Sequence, residues 1–219
     1  MALFIDSSDP KEIKELFGWG VLSGVTTNPL IIAREAPDAD LGATIREILT
    51  VSSGDVSVEL TTETESEMME EAARYHAWDR QRITIKVPMS EIGLRVVHKL
   101  VRDGIKTNVT CIMAMNQAYL AALAGATYVS IFSGRVRDMG YDVAPVIRTT
   151  REIFDRERLD SKIIVGSMRH IMDVNEALAC GAHVPTVTPP ILRKRVWNPR
   201  TEQTINEFNS AWRDRAKKK

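Results

Sequence analysis

Short apolar runs alternate along the chain with longer segments whose apolar residues fall on one helical stripe. The short runs have the length and the β-branched residues of strands, and most of them end at polar residues. The predicted strands cover residues 2–6, 21–28, 56–60, 82–88, 105–110, 126–132, 162–167 and 183–187. The predicted helices between them cover residues 10–17, 40–51, 62–78, 90–104, 114–123, 142–154 and 171–178.

Eight strands in alternation with helices predict an α/β fold of the (β/α)8 TIM-barrel type. An open, doubly wound sheet would show the same alternation, but no glycine-rich phosphate loop follows the first strand. No linker interrupts residues 1–219, so we expect one domain. Residues 201–217 predict an additional C-terminal helix with Ile205, Phe208 and Trp212 on one stripe. That stripe could cover the mouth of its own barrel or serve as an arm on another subunit.

The composition is that of an ordinary globular protein, with 44% apolar and 26% charged residues. A formal net charge of +0 provides no basic surface for nucleic acid. No stretch reaches the ~20 apolar residues of a membrane span, and the first residues lack the basic region of a signal peptide. Cys111 and Cys180 form no zinc or disulfide pattern. We therefore expect a cytoplasmic protein that binds neither nucleic acid nor membrane.

The fourth predicted strand contains a lysine near its end. Residues 83–87 alternate between two faces, and Lys86 shares its face with Thr84. In a buried strand the lysine would be partly desolvated, and burial favours the free amine over the ammonium. A free amine attacks a carbonyl carbon to form a Schiff base. The simpler interpretation is an exposed lysine at the end of an edge strand.

Active sites of (β/α)8 barrels form at the C-terminal ends of the strands, so polar residues there are candidates for chemistry. Seven consecutive predicted strands end at or near such residues, namely Asp6, Thr26, Asn28, Glu59, Lys86, Asn108, Thr110, Ser130, Ser167 and Arg169. Some of them, such as Asn108 and Thr110, are two positions apart and therefore face the same way. Asp6 could instead cap the helix that follows it.

Four motifs together resemble the transaldolases, specifically their short, single-barrel subfamily. They are Gly-Val-Thr-Thr-Asn-Pro at 24–29, Ile-Lys-Val-Pro at 85–88, Thr-Asn-Val-Thr at 107–110 and Gly-Ser-Met-Arg-His at 166–170. The resemblance covers essentially the whole chain. It implies a class I Schiff-base enzyme that needs no metal or other cofactor. Such an enzyme moves a dihydroxyacetone unit from a ketose phosphate to an aldose phosphate, a reaction of the pentose phosphate pathway.

The resemblance also implies roles for single residues. Lys86 would form the Schiff base, and Asp6 would take the proton of the C4 hydroxyl as the C3–C4 bond breaks. Glu59 and Thr110 would hold a catalytic water. The implied substrate-binding residues are Asn28, Asn108 and Ser130 on the dihydroxyacetone hydroxyls, Thr26 and Ser167 in the pocket wall, Phe132 as its aromatic side, and Arg135 and Arg169 as a phosphate clamp. The resemblance further implies a homo-oligomer, often a decamer of two five-fold rings, with the last helix reaching onto a neighbour.

Three alternatives stay open. Fructose-6-phosphate aldolases, close relatives that release free dihydroxyacetone, carry Gln where this chain has Glu59 and Tyr where it has Phe132. The family's common Ser-Pro-Phe and Val-Gly-Arg are replaced by Ser-Ile-Phe and Ser-Gly-Arg at 130–135, which leaves open a modified substrate such as a sulfonated or long-chain sugar. A barrel that binds sugar phosphates without turnover is the third alternative, although an amine beside two acids is better explained by tuned protonation.

Overall fold

In the computed structural model, which describes residues 2–217, eight parallel strands close into a barrel in chain order. Each strand pairs with its neighbours in the sequence, and β1 also pairs with β8, so the sheet has no edge strand. The strands are β1 Phe4–Asp6, β2 Gly24–Thr26, β3 Asp55–Glu59, β4 Ile83–Pro88, β5 Thr107–Ile112, β6 Tyr128–Phe132, β7 Lys162–Gly166 and β8 Val184–Val187. The predicted (β/α)8 barrel is confirmed.

The helices surround this barrel. They are α1 Pro10–Phe17, α2 Pro29–Glu35, α3 Leu41–Val51, α4 Glu65–His76, α5 Glu91–Arg102, α6 Met115–Leu123, α7 Ser133–Asp138, α8 Ala144–Glu157, α9 Ile171–Ala179, α10 Pro189–Val196 and α11 Pro199–Lys217. The sequence pattern predicted neither α2 nor α7. Both helices are short and follow a strand directly, so neither has enough residues to show an apolar stripe.

Alternation along the strands separates two groups of apolar side chains. One alternating set packs between the sheet and the helices, where Ile5, Val25 and Ile85 are fully buried. A smaller cluster of Phe4, Tyr128, Ile164 and Val184 comes from the other set and lies toward the N-terminal ends of the strands. Because apolar side chains fill that end of the barrel, polar groups gather at the opposite, C-terminal end.

Helix α11 lies at the surface, and its apolar stripe is exposed. The exposed fractions of Ile205, Phe208 and Trp212 are 52%, 70% and 66%. The stripe therefore does not cover the mouth of its own barrel. Within residues 2–217, no helix combines the length and the apolar character that crossing a membrane requires.

Candidate active site

A cavity of about 400 Å³ lies at the C-terminal ends of the strands. Nine of the twelve predicted site residues line it, namely Asp6, Thr26, Asn28, Glu59, Lys86, Ser130, Phe132, Arg135 and Ser167. The other three, Asn108, Thr110 and Arg169, are not part of its wall. The closed barrel brings residues from distant parts of the sequence to this one end of the molecule.

Lys86 lies at the floor of the cavity and is paired with Glu59. The two residues are directly opposite each other on β4 and β3, and Lys86 Nζ is 2.7 Å from Glu59 Oε2. Nζ also donates a hydrogen bond of 3.0 Å to the backbone oxygen of Thr27. The lysine side chain is only 4% exposed. The edge-strand interpretation of Lys86 is wrong, because β4 lies between β3 and β5 in a closed sheet.

Asp6 ends β1 and receives a hydrogen bond from the neighbouring strand. Thr26 Oγ1 donates to Asp6 Oδ1 at 2.7 Å. The Thr26 hydroxyl has a single proton, so in its 2.7 Å contact with Thr186 the Thr186 hydroxyl is the donor. Burial raises the pKa of Asp6 above its ordinary value, although the charge of Lys86 and the Thr26 hydrogen bond oppose this rise. The result is a carboxyl that gains a proton more readily than an exposed aspartate.

Asp9, and not Asp6, caps the helix that follows β1. Asp9 Oδ1 accepts the backbone N–H of Lys11 at 2.9 Å and caps α1. Asp6 is therefore not the cap, and its carboxyl faces the cavity.

Helix α2 fixes the segment that follows Asp6 through a residue that the sequence analysis missed. Glu35 accepts hydrogen bonds from the Ser7 hydroxyl at 3.0 Å and from the Ser8 backbone N–H at 2.8 Å. Its other oxygen accepts from Arg34 Nη2 at 2.6 Å. Arg34 lines the cavity and was also missed. No pattern in the sequence marks either residue, because α2 itself was not predicted.

Polar residues of β5 and β6 form a hydrogen-bonded row beside the cavity. Ser130 Oγ donates to Asn108 Oδ1 at 2.7 Å, and Asn108 Nδ2 donates to Ser57 Oγ at 3.2 Å. These contacts fix the orientation of the buried Asn108 amide. The buried hydroxyl oxygen of Thr110 makes no hydrogen bond of normal geometry within residues 2–217.

Asn28 connects the cavity to α2. Its side-chain oxygen accepts the backbone N–H of Ile31 at 2.9 Å and caps the helix. The side-chain NH2 group of Asn28 is therefore the part left to bind a ligand. On the other side of the cavity, the ring of Phe132 has its centroid 5.9 Å from Lys86 Nζ.

The two predicted clamp arginines have different surroundings. Arg135 is on α7 and lines the cavity. Arg169 follows β7, and its guanidinium binds both carboxylate oxygens of Asp138, with 2.6 Å between Nη1 and Oδ1. In this structure, therefore, Arg135 reaches the cavity, whereas Arg169 is paired with Asp138 and is not part of the cavity wall.

The loop after β7 is held in place by Asp173 at the start of α9. Asp173 Oδ2 accepts the backbone N–H groups of Arg169 at 2.7 Å and His170 at 2.9 Å, and its other oxygen contacts Arg137. Burial alone would raise the pKa of Asp173, but these hydrogen bonds and the Arg137 charge hold it below its ordinary value. The backbone of Arg169 is thus fixed independently of its side chain.

Helix α7 approaches this loop very closely at Gly134. The Gly134 backbone N–H donates to the backbone oxygen of Ser167 at 3.0 Å. A Cβ atom at position 134 would lie 2.2 Å from that backbone oxygen. Any other residue would push the helix away from the loop. Ser167 itself has a φ of 56°, in the left-handed region that few non-glycine residues adopt. Such strained backbone is common where a protein positions a ligand group.

The cavity thus combines a buried amine, two carboxyl groups, several hydroxyl groups, the amide of Asn28 and the guanidinium groups of Arg34 and Arg135. Within the described part of the chain, no three His, Cys, Asp or Glu side chains are grouped so that they could hold a metal ion. A buried amine beside acids at this end of a (β/α)8 barrel is typical of one class of protein, the enzymes that act on carbonyl compounds through a lysine.

Comparison with known proteins identifies the family. The sequence model of the transaldolase/fructose-6-phosphate aldolase family matches residues 3–219. A probable transaldolase of Alkaliphilus metalliredigens is 41% identical over 212 residues, which are 97% of this chain and 98% of the relative. Probable transaldolases of Symbiobacterium thermophilum and Geobacillus sp. WCH70 are 40% and 43% identical, over 97% of this chain and 97% and 98% of their own lengths. The chain belongs to the transaldolase/fructose-6-phosphate aldolase family.

Proposed function

We propose that this protein is a transaldolase that forms a Schiff base through Lys86 and transfers a dihydroxyacetone unit from a ketose phosphate to an aldose acceptor. The observation that carries the proposal is the buried Lys86 amine, 2.7 Å from the Glu59 carboxylate and in one cavity with Asp6. Family membership and the names of the relatives, probable transaldolases, support the same reaction.

The first stage is formation of the Schiff base. The Lys86 ammonium loses a proton, and Glu59 is the nearest carboxylate that can accept it. The amine then attacks the C2 carbonyl of the ketose to give a carbinolamine, which loses water to give an iminium ion. Proton transfers to and from the C2 oxygen are needed in both steps. We assign them to Glu59 and Thr110 with a water held between them. The buried Thr110 hydroxyl, which makes no hydrogen bond of normal geometry within residues 2–217, supports this role.

The second stage is cleavage of the sugar. Asp6 takes the proton of the C4 hydroxyl, the C3–C4 bond breaks, and its electron pair moves toward the iminium to give an enamine on Lys86. The departing fragment leaves as an aldehyde. An acceptor aldehyde then reacts with the enamine in the reverse sense, and Asp6 returns the proton to the new hydroxyl. Its raised pKa suits a group that must both accept and release a proton.

The remaining predicted residues would bind the substrate. The hydroxyls of the dihydroxyacetone unit would form hydrogen bonds with the amides of Asn28 and Asn108 and with the hydroxyl of Ser130. Thr26 and Ser167 would shape the pocket, and Phe132 would form its apolar side. Arg135 and Arg169 would bind the phosphate, because guanidinium groups match the geometry of an oxyanion with several acceptor oxygens.

Two residues favour transfer over release of free dihydroxyacetone. Release requires that the enamine be protonated, and the Phe132 ring beside Lys86 has no hydroxyl to supply a proton. Glu59 is a carboxylate where the aldolases have an amide. Simple aldol cleavage is the second candidate. A modified substrate, sulfonated or long-chain, is the third, because the segment 130–135 at the junction of β6 and α7 departs from the family's common sequence.

A product assay decides between these functions. The purified protein would be given fructose 6-phosphate with and without erythrose 4-phosphate, while glyceraldehyde 3-phosphate and free dihydroxyacetone are measured separately. We expect the acceptor to accelerate glyceraldehyde 3-phosphate formation with little free dihydroxyacetone. Faster release than transfer would favour the aldolase, and no turnover of this pair would favour the modified substrate.

We further propose that residues 1–219 act as one barrel domain within a homo-oligomer, two five-membered rings that form a decamer, in the cytoplasm. Helix α11 would be the arm that reaches a neighbouring subunit. Its exposed stripe of Ile205, Phe208 and Trp212 supports this, because a neighbour would bury three large apolar side chains. As a transaldolase, the protein would act in the pentose phosphate pathway.

A further inference from the structure

Asp138 and Arg169 form an ion pair next to Arg135, a residue of the cavity wall whose charge acts on Asp138. We call Arg135, Asp138 and Arg169 the rim cluster. Arg135 and Asp138 are three positions apart on α7, so they lie on the same side of the helix. Arg169 comes from the loop after β7, 31 residues further along the chain than Asp138.

The carboxylate of Asp138 occupies the guanidinium donors that an incoming anion would use. Both terminal nitrogens of Arg169 bind the two Asp138 oxygens, in the paired geometry that a phosphate would also adopt. The pKa of Asp138 is lowered by its hydrogen bond with Arg169 and by the charges of Arg169 and Arg135. The cluster thus has two positive charges and one negative charge. A bound anion would experience a net charge of +1, whereas the two arginines without Asp138 would give +2.

The Asp138 side chain has no part in anchoring the Arg169 backbone. That backbone is anchored by Asp173, which also contacts Arg137. Asp138 and Arg169 are 40% and 51% exposed, so the pair can open without uncovering the core. An exposed pair of this kind is weak, so little free energy is needed to open it. Substrate binding can therefore break it.

We propose that Asp138 is a specificity-determining residue that competes with the anionic group of the substrate for Arg169, and so limits the preference of the site for phosphorylated over neutral sugars. The proposal rests on the proposed function, because it assumes that the phosphate of the ketose lies at Arg135 and Arg169. Asp138 itself takes no part in the chemistry at Lys86.

The variant Asp138→Asn tests this with almost no change in side-chain volume. We expect the KM for fructose 6-phosphate to fall roughly two- to fivefold, the range that an exposed ion pair provides. With fructose, which has no phosphate, kcat/KM should stay unchanged, as should kcat for fructose 6-phosphate. The gain with the phosphorylated substrate should shrink as salt is raised, because the rim cluster is exposed.

Asp155→Asn is the matched control. Asp155 pairs with Arg151 at 2.7 Å on the outer helix α8, so this variant removes the same charge far from the rim cluster. An equal fall in KM for both variants would overturn the proposal, as would an unchanged or raised KM in Asp138→Asn. A raised KM would mean that Asp138 holds Arg169 ready for the substrate.

Binding of inorganic phosphate, measured by calorimetry, separates this proposal from the proposed function. Asp138→Asn should bind phosphate more tightly than the unaltered protein and Asp155→Asn, whether or not the protein turns over fructose 6-phosphate. If no sugar is turned over but phosphate binding tightens, the proposed function fails and the role of Asp138 stands. If sugar is turned over and neither KM nor phosphate binding changes selectively, the role of Asp138 fails. Asp138→Ser gives the same comparison should the asparagine variant not fold.

Discussion

Glu59 and Lys86 lie opposite each other on neighbouring strands, and Glu59 Oε2 is 2.7 Å from Lys86 Nζ. Both side chains are largely buried, at 12% and 4% exposure, so each charge offsets the cost of burying the other. The same contact gives the amine a nearby proton acceptor. Under the proposed function, one pair of residues thus both balances its buried charges and prepares the nucleophile.

Replacement of this carboxylate by an amide tests its part in the chemistry. In Glu59→Gln the side chain keeps its size but can no longer accept a proton from the amine. We expect Schiff-base formation to slow by roughly 10²-fold or more, as for the loss of a general acid or base. Rapid quenching with borohydride, followed by intact mass, measures that step directly. The exposed Glu63→Gln is the control, and an unchanged rate in Glu59→Gln would remove Glu59 from the mechanism.

Asp6→Asn should separate Schiff-base formation from cleavage. An amide at position 6 cannot take the C4 hydroxyl proton, so the bound ketose should stay whole. After borohydride treatment with fructose 6-phosphate, we expect the mass of the complete sugar phosphate on Asp6→Asn, and of a dihydroxyacetone unit on the unaltered protein. Asp9→Asn is the control, because asparagine also caps helices well. A dihydroxyacetone adduct formed at the normal rate in Asp6→Asn would contradict the role of Asp6.

A buried acid outside the cavity should make stability depend on pH. Glu71 is 3% exposed and accepts the backbone N–H groups of Thr61 at 2.9 Å and Thr62 at 3.1 Å and the Tyr75 hydroxyl at 2.5 Å. Burial alone would raise the pKa of Glu71, but these hydrogen bonds hold it below 4.5. The contribution of Glu71 to the free energy of unfolding is therefore fully present above pH 4.5. It is lost as the pH falls through the lower pKa of the folded state.

Removal of this acid leaves its donors unpaired. We expect Glu71→Ala to lower the free energy of unfolding by roughly 3 kcal/mol at pH 7, because several buried donors lose their acceptor. The difference in the free energy of unfolding between Glu71→Ala and the unaltered protein should shrink as the pH falls below 4.5. Urea unfolding at several pH values measures both effects. The exposed neighbour Glu70→Ala should change stability by less than about 0.5 kcal/mol. A similar loss for both variants would contradict this account.

The exposed stripe of α11 predicts that assembly depends on this helix. A chain cut after Asn198 lacks α11 but keeps all eight strands. We expect light scattering to give a smaller particle for the shortened chain, with an unchanged barrel by circular dichroism. The double variant Phe208→Ser, Trp212→Ser should also weaken assembly and give a smaller particle. An unchanged particle size would rule out the arm.

The pattern of the sequence predicted the barrel and the position of Lys86, because both follow from local periodicity. Alternation at 83–87 places Lys86 on the inner face, and the repeated order of strands and helices closes the sheet. Short helices have no such signal, so α2 and α7 were missed. Residues that these helices position, such as Arg34 and Asp138, were missed with them.

Contacts between distant residues were also beyond the sequence. Nothing in the local sequence indicates that the hydroxyl oxygens of Thr26 and Thr186, 160 positions apart, would lie 2.7 Å from each other. Nor does it indicate that Asp138 would bind Arg169. Such pairings depend on how the barrel closes and on the direction of each loop. The resemblance to the transaldolases suggested a clamp of two arginines but gave no sign that a carboxylate, Asp138, would bind one of them.

Covalent trapping tests the central claim most directly. The protein would be incubated with fructose 6-phosphate, reduced with borohydride and mapped by peptide mass spectrometry. The account predicts a reduced dihydroxyacetone unit on Lys86 and on no other lysine, with no adduct in Lys86→Met. An adduct at another lysine, or none with fructose 6-phosphate or any other ketose tried, would contradict Schiff-base catalysis by Lys86.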